Sequence, residues 1–191
     1  MARGCGRHAH PVSPINWPLD DHVVVRTLTV DDAHTVFALV DTNREHLRPW
    51  MPWEPMTKSS ADTLVYITHS LESEYDVEGN GIFVDGAFAG GMGMRIDPLN
   101  DVGEIGYWIG KAFEGRGLIT RATKRFVDYG FDERGLHRIE IKAASTNRRS
   151  RAVAERLGFR QEAVLREAGR ADPGYLDLVV YGMLAHEWPA A

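Results

Sequence analysis

Hydrophobic residues follow two spacings along this chain, and the two spacings alternate. A β-branched stretch at 23–28 predicts a first strand. Hydrophobic residues then recur every three or four positions, which predicts two helices, one capped by Thr29 and the other by Ser60. A hairpin at 81–96 around the turn Asp85-Gly86 and a strand at 105–109 follow, so three antiparallel strands come in succession.

The rest of the chain returns to alternating helices and strands. The predicted elements are a helix at 118–132, a strand at 138–144, a helix between Asn147 and Gly158, and strands at 159–164 and 176–184. This order predicts a mixed α/β fold, in which helices flank a central, mostly antiparallel sheet of about seven strands.

Length and composition fit one domain of a globular protein. The chain has 191 residues, of which 43% are hydrophobic and 26% are charged. Residues 1–18 are rich in Gly, Pro, Arg and His and are predicted to be a flexible arm, which leaves 19–191 as a single domain. The net charge of −5 argues against a nucleic-acid partner and leaves room for an acidic pocket that receives a cationic amine.

The number of cysteines and the lengths of the hydrophobic stretches indicate in which cellular compartment the protein resides. Cys5 is the one cysteine, so no disulfide framework forms within the chain, which fits a reducing environment. No stretch has the hydrophobic length of a signal peptide or a membrane span. Five of the histidines are scattered without metal-ligand spacing. We therefore expect a cytoplasmic protein with no bound metal and no membrane partner.

Residues 43–53 read NREHLRPWMPW, a short segment with two tryptophans and two prolines. Trp50 and Trp53 either line a substrate cleft or fasten this segment to the core. The prolines kink the chain, so a cleft wall is a reasonable interpretation of the segment as a whole.

The strongest chemical feature is a loop with two glycines, placed between the strand at 105–109 and the next helix. Alternate glycines let main-chain N–H groups curve around an anion, and the helix N-terminus adds free N–H groups and its dipole. The loop is neither a Walker loop nor a dinucleotide fingerprint, because both the Gly-Lys-Ser/Thr sequence and the third glycine are missing. The alternative is a tight turn. The residues of this predicted anion site are Glu114, Gly115, Arg116, Gly117, Leu118, Ile119 and Thr120.

A second polar cluster, Asn147-Arg148-Arg149-Ser150, follows the strand at 138–144. Asn147 either caps the next helix or makes polar contacts to a ligand between two diverging strands. Ser150 has the same two interpretations, as a first-turn residue or as a ligand contact.

These stretches together resemble a known family. The pairing of EIGYWIGKAFEGRGLIT with HRIEIKAASTNRRSRAVAERLGF resembles the GNAT superfamily of acyl-CoA N-acyltransferases, and most closely the branch of the ribosomal-protein N-terminal alanine and serine acetyltransferases. The resemblance extends from VVVRTLTVDDA through NREHLRPWMPW to YLDLVVYGMLAHEW, which is nearly everything but the first residues. It is specific because the order and spacing of the motifs agree together.

The resemblance implies acetyl-CoA as co-substrate. The glycine loop would hold its pyrophosphate, and its pantetheine arm would lie in a V-shaped gap between the fourth and fifth strands. Main-chain groups of Trp108 and Ile109 would pair with that arm, and Asn147 would hydrogen-bond its amide region. Ala112 departs from the family, which often has Arg or Gln there; we expect binding to survive because the anion contacts are mostly main-chain.

Thioester aminolysis needs an oxyanion donor, a base and an acid. The backbone N–H of Ile109 is the predicted donor. Glu104 either takes the proton of the amine, directly or through water, or is a solvent-facing strand residue. By resemblance Ser150 protonates the leaving sulfur, with Tyr181 as the alternative acid. No acyl-enzyme is expected, since Cys5 lies in the arm.

Two functions therefore follow from the sequence. The first is an N-acetyltransferase that moves the acetyl group directly to a primary amine, either a protein N-terminal α-amine or a small molecule. The second is a catalytically silent acyl-CoA-binding sensor or interaction module of the same fold. A homodimer is a further expectation from the resemblance.

Overall fold

The computed structural model describes residues 13–73 and 75–189. Cys5 and the rest of 1–12 lie outside these residues. In the described residues the sheet has eight strands: β1 Asn16–Pro18, β2 Val23–Thr27, β3 Val77–Val84, β4 Ala87–Asp97, β5 Val102–Ile109, β6 Arg138–Ala144, β7 Arg160–Ala171 and β8 Gly174–Leu184.

The sheet is mixed and mostly antiparallel, as predicted. Its strand order is β1-β2-β3-β4-β5-β6-β8-β7, and β5 and β6 form its parallel pair. The hairpin turn between β3 and β4 is the one expected from Asp-Gly, because Asp85 and Gly86 both have positive φ, 49° and 80°.

The strand that the sequence did not predict is β1, which lies in the segment 1–18 predicted to be a flexible arm. Trp17 of β1 pairs with Val25 of β2, and its ring lies 5.1 Å from the ring of Phe126, centroid to centroid. Ile15 is buried in the core. Residues 15–18 of the predicted arm thus belong to the sheet and its core, because Ile15 and Trp17 pack there.

Within the described part of the chain, five α-helices flank the sheet: α1 Ala33–Thr42, α2 Arg44–Leu47, α3 Ser60–Leu71, α4 Leu118–Asp128 and α5 Arg148–Arg156. Successive strand residues point to opposite faces, so Ile82 packs with the core under α4 and α5 while Phe83 packs with α1 and α3. We call these the α4/α5 face and the α1/α3 face. In the part of the chain that the structure describes, no helix combines the length and the hydrophobicity that a membrane crossing requires.

The two helices predicted before the hairpin form as α1 and α3, but the N-cap of α3 is Ser59 and not Ser60, since Ser59 Oγ accepts from Asp62 N–H. The helical spacing of Leu64, Ile67 and Leu71 predicts that these three residues form the buried stripe of α3. In α3 the buried residues are Thr63, Ile67 and Ser70, whereas Leu64 and Leu71 are 40% and 48% exposed. Polar residues thus share the buried stripe.

A gap opens in the sheet where β5 and β6 part. Their pairing runs from Val102↔Arg138 to Ile105↔Ile141 and stops there, although β5 continues to Ile109 and β6 to Ala144. The V-shaped gap therefore lies between β5 and β6, which correspond to the fourth and fifth of the predicted strands.

Candidate active site

The backbone of β5 directs two N–H groups into this gap. Gly110 N–H donates to Ala89 O at 2.8 Å, and the β4–β5 register is unbroken. Because hydrogen-bonded and non-hydrogen-bonded pairs alternate along an antiparallel ladder, Trp108 exchanges its main-chain bonds with β4. The N–H groups of Tyr107 and Ile109 then face the gap. The main-chain role predicted for Trp108 is therefore wrong, and Tyr107 has the right orientation instead.

Ser150 and Tyr107 meet across the gap through their hydroxyl groups. Ser150 Oγ donates to Tyr107 Oη at 3.2 Å, and Tyr107 Oη donates to the main-chain oxygen of Ser150 at 3.1 Å. Burial raises the pKa of Tyr107 to about 12, so its phenol stays protonated at neutral pH. The pair therefore joins β5 to the first turn of α5 with two protonated hydroxyls.

Asn147 is the N-cap of α5, and its Oδ1 accepts from Ser150 N–H at 3.1 Å. This bond fixes Ser150 at the helix start. Within 13–73 and 75–189, Asn147 Nδ2 has no hydrogen-bond acceptor. The cap role of Asn147 is therefore confirmed, and because Asn147 also lines the cavity, its role as a ligand contact stays a prediction.

Tyr181, the alternative acid, lies elsewhere. It is fully buried, its Oη donates to Glu155 Oε1 at 2.7 Å, and it accepts from Arg151 Nε at 2.9 Å. It is also not among the residues that line the cavity at the gap. Tyr181 thus fastens β8 to α5, and its placement argues against an acid role.

The glycine loop has an open concave backbone. Gly115 and Gly117 have φ of +76° and +70°, the left-handed region that favours glycine. A Cβ added at either position would meet no atom within 4 Å. The two glycines are needed for the turn itself, and the space in front of them is free.

The first turn of α4 completes this loop. Gly117 O accepts the first helical bond, from Arg121 N–H at 3.1 Å, so the N–H groups of Leu118, Ile119 and Thr120 precede the helical ladder. The Leu118 side chain is buried in the core, and Ile119 packs partly against it. Their contribution to an anion site is therefore through main-chain N–H groups.

Two charged side chains of the loop are already engaged. The Glu114 carboxylate pairs with Arg149 and lies 3.7 Å from His46 Nε2. Arg116 Nη2 donates to Ala112 O at 3.1 Å. Glu114 therefore links the loop to α2 and α5, which leaves its main chain as the part free to contact a ligand.

Glu104 lies in a chain of charges on the α1/α3 face. Its oxygens accept from Lys142 Nζ at 2.7 Å and from Arg95 Nη2 at 3.2 Å. The hydrogen bond to Glu104 raises the pKa of Lys142. Glu78 lies 3.7 Å from Arg95 Nε, and burial raises its pKa. Glu104 is thus a partly exposed strand residue that is held in two ion pairs, and its role as the base stays a prediction.

Aromatic rings form the opposite wall of the same space. Trp53 and Trp108 have ring centroids 5.6 Å apart, and Phe88 lies 5.7 Å from Trp108. Trp50 and Trp53 line a cavity of about 580 Å³ that also reaches Ser150. Trp53 contacts Trp108, which packs against the core, and both Trp50 and Trp53 line the cavity, so their role in substrate binding stays a prediction.

Glu54 anchors the tryptophan segment. Its side chain is fully buried and accepts from Arg44 Nη1 at 2.8 Å and Arg48 Nε at 3.1 Å. The Arg44 side chain also donates to Thr57 O at 2.9 Å. The cavity wall is therefore held by an ion-paired carboxylate as well as by ring packing.

Sequence reasoning missed four residues of this site: Glu78, Arg95, Tyr107 and Lys142. Strand alternation places Tyr107 on the same edge as Ile109, which was a usable signal. The three charged residues meet only when β3, β4, β5 and β6 pair in one register, and that register cannot be predicted from the sequence. Among the described residues, no three His, Cys, Asp or Glu side chains form a group that could hold a metal ion.

The chain is similar to known acetyltransferases. It matches the family described as acetyltransferase (GNAT) domain over residues 22–160. It is 37% identical to the putative ribosomal N-acetyltransferase YdaF of Bacillus subtilis, over 89% of this chain and 95% of that protein. It is 28% identical to the ribosomal-protein-serine acetyltransferase of Escherichia coli K12, over 78% and 85%.

A solved structure extends the similarity to three dimensions. The crystal structure of the microcin C7 self-immunity acetyltransferase MccE, in complex with acetyl-CoA and AMP, superposes with a TM-score of 0.81. The two chains are 25% identical, and the alignment covers 87% of this chain and 94% of MccE. The chain belongs to the GNAT acetyltransferase family and is an N-acetyltransferase, which confirms the predictions of family, fold and enzyme class.

Proposed function

We propose that the chain transfers the acetyl group of acetyl-CoA to the α-amino group at a protein N-terminus. The observation that carries this proposal is a single cavity that crosses the sheet at the β5–β6 gap. It is lined by Trp53 and Glu104 on the α1/α3 face and by Asn147 and Ser150 at the start of α5. The names of the B. subtilis and E. coli relatives support a protein acceptor.

The loop residues fit a pyrophosphate. The space in front of Gly115 and Gly117 would be filled by any larger side chain, and three main-chain N–H groups of α4 face outward. Arg116 adds positive charge close by, whereas the guanidinium of Arg121 is already paired with the Asp20 carboxylate. Asn147 Nδ2 and the main chain of Ile109 line the route from the loop to the gap, which suits a pantetheine arm.

When bound, acetyl-CoA supplies a thioester carbonyl that a neutral amine can attack. The N–H of Ile109 donates a hydrogen bond where negative charge develops on the carbonyl oxygen. The Glu104 carboxylate takes the proton of the acceptor ammonium, directly or through one water. Lys142 and Arg95 hold this carboxylate in place on the acceptor side of the gap.

Ser150 is the acid for the leaving thiol of coenzyme A. Its Oγ carries a proton toward the departing sulfur, and Tyr107 Oη holds that oxygen at 3.2 Å. Because the phenol of Tyr107 stays protonated, it can donate to Ser150 Oγ once the serine proton has left. Tyr107 is thus a positioning residue for Ser150.

An acceptor panel tests the function. The purified chain is incubated with acetyl-CoA and peptides that begin with serine, alanine or methionine, together with spermidine and a peptide with a blocked N-terminus and an internal lysine. We expect release of free thiol and gain of one acetyl group on a free α-amine. Acetylation of spermidine or lysine alone would contradict a protein α-amine as acceptor.

The silent sensor considered from the sequence is set aside, because the chain belongs to a family of acetyltransferases and is similar to N-acetyltransferases over most of its length. The homodimer and the cytoplasmic location stay predictions from the sequence, and light scattering of the purified chain checks the first of them.

A further inference from the structure

On the α1/α3 face, two facing glycines leave the middle of the sheet without side chains. Gly93 of β4 is paired with Gly106 of β5. A Cβ at Gly93 would come within 2.9 Å of Glu78 Cα, so close packing of the strands requires that glycine. A Cβ at Gly106 would meet no atom within 4 Å, and Gly106 has no positive φ. Neither packing nor backbone conformation explains a glycine at 106.

The space above Gly106 is bounded on three sides. Residues 104, 106 and 108 point to one face, so Glu104 and the Trp108 ring stand on either side of Gly106. Glu78 closes the far end, beyond Gly93, and all five residues line the cavity. We call this space the glycine trough, formed by Glu78, Gly93, Glu104, Gly106 and Trp108.

The trough opens into the gap. Gly106 is the first residue of β5 beyond the last pair with β6, Ile105↔Ile141. An atom that lies on Gly106 is therefore at the mouth of the gap, on the side opposite Ser150. Carboxylates at 78 and 104 and an aromatic ring are groups that attract a protonated amine, and the two carboxylates also hold Arg95 and Lys142, which line the same cavity.

We propose that the glycine trough holds the amine-bearing end of the acceptor, and that Gly106 is the position that determines whether an amine can reach the gap. The proposal rests on the acetyl transfer proposed above. The amine lies on Gly106 between Glu104 and Trp108, and Glu78 attracts its positive charge from the far end. A side chain at 106 occupies the place of the amine, and no other group of the fold has to move.

Gly106→Ala and Gly106→Val test this assignment against Gly174→Ala. Gly174 is a matched control, because a Cβ there also meets no atom within 4 Å and the residue lies outside the cavity. Acceptor kinetics are measured with the best peptide of the panel and with spermidine, coenzyme A affinity by calorimetry, and stability by thermal unfolding.

We expect kcat/KM for the acceptor to fall about tenfold in Gly106→Ala and roughly 100-fold in Gly106→Val, since small displacements at a reacting centre cost rates of this order. Coenzyme A affinity and the unfolding temperature should match those of the parent and of Gly174→Ala. Parent-like acceptor kinetics in Gly106→Val would overturn the proposal. A parent that acetylates no amine would reject the proposed function together with the trough, whereas an active parent with an equally active Gly106→Val rejects the trough alone.

Glu78→Gln is a second test of the glycine trough, and it changes the charge of the side chain without changing its size. We expect the acceptor KM to rise about fivefold to tenfold, as for loss of one charged contact, while coenzyme A affinity is retained. An unchanged acceptor KM would remove Glu78 from the trough. The same substitution at Glu133, an exposed residue paired with Arg125 at 3.0 Å, should change neither constant.

Discussion

At the residue scale, substitutions in the hydroxyl pair of Tyr107 and Ser150 distinguish a catalytic role of these residues from a packing role. Ser150→Ala removes the proposed acid, and Tyr107→Phe removes only its partner hydroxyl. We expect kcat to fall roughly 100-fold in the first and about tenfold in the second, with little change in the KM for acetyl-CoA. The double variant should be no slower than Ser150→Ala, because the two residues act as a unit.

Tyr181→Phe is the matched control for this pair. Tyr181 is also a buried tyrosine with two hydrogen bonds, but its partners are Arg151 and Glu155. Its loss should lower the unfolding temperature and leave kcat near the parent value. A loss of kcat equal to that of Tyr107→Phe would contradict the assignment of Tyr107 as the positioning residue.

Glu104 carries the second prediction at this scale. Glu104→Gln keeps the shape of the side chain and removes its charge, so we expect lower turnover, an altered pH profile and unchanged coenzyme A affinity. Glu140→Gln is the control, because Glu140 also contacts Lys142, at 3.4 Å, but does not line the cavity. Equal turnover of Glu104→Gln and the parent at every pH would show that Glu104 is not the base.

Single residues were predictable from the sequence where one motif defines their role. The positive φ of Gly115 and Gly117 and the cap at Asn147 are local properties, and the structure has them. The role of Trp108 depended on which edge of β5 its N–H faces, which only the pairing with β4 decides. Tyr107 was missed although its alternation with Ile109 along β5 could be read from the sequence.

At the element scale, the loop before α4 is tested by Gly117→Glu. The new side chain puts bulk and negative charge where the pyrophosphate would bind, so we expect loss of measurable coenzyme A binding. Gly135→Glu is a close control, because Gly135 has φ of +63° and a Cβ there also meets no atom within 4 Å. Both variants carry the same backbone strain and charge. Calorimetric affinity that is equal in the two variants would refute the loop assignment.

Elements with a strong local pattern were predicted best. The hairpin of β3 and β4 follows from its turn residues, and Thr29 caps the short 3-10 turn before α1, where the Asp32 side chain accepts from Thr29 N–H at 2.7 Å. The predicted cap of the next long helix was one residue late, because Ser59 and not Ser60 accepts from Asp62 N–H. The stripe of α3 was wrong because Thr63 and Ser70 share the buried face with Ile67. Strand β1 has only three residues, too few for a period to show.

At the scale of the whole molecule, order along the chain predicted a mixed sheet, and the resemblance supplied the gap. Neither the order of elements nor the resemblance indicated how the tryptophan segment 43–53 is joined to the glycine loop. Asn43 Oδ1 accepts from Lys111 N–H at 2.9 Å, and Glu114 lies between His46 and Arg149. These contacts join α2, the loop and α5 across long sequence separations, so only the folded chain brings them together.

The acid stability of the whole fold depends on the buried Glu54. Burial raises the pKa of Glu54, but hydrogen bonds from Arg48 and Arg44 outweigh burial, and the folded pKa lies below the ordinary 4.5. The folded state therefore gains stability from this carboxylate above pH 4.5 and loses it as the pH falls through the folded pKa. The loss belongs to acidic solution and not to the neutral range.

Glu54→Gln should show this dependence in urea unfolding. Near neutral pH we expect the free energy of unfolding to fall by roughly 2 to 3 kcal/mol, less than for a fully buried pair because Arg44 and Arg48 stay partly exposed. At about pH 3 the difference should shrink, since protonated Glu54 resembles glutamine in shape and charge. Glu133→Gln, at an exposed ion pair, should differ from the parent by about 0 to 1 kcal/mol at both pH values. A difference for Glu54→Gln that is the same at both pH values would mean that ring packing, and not the ionised carboxylate, holds the tryptophan wall of the cavity.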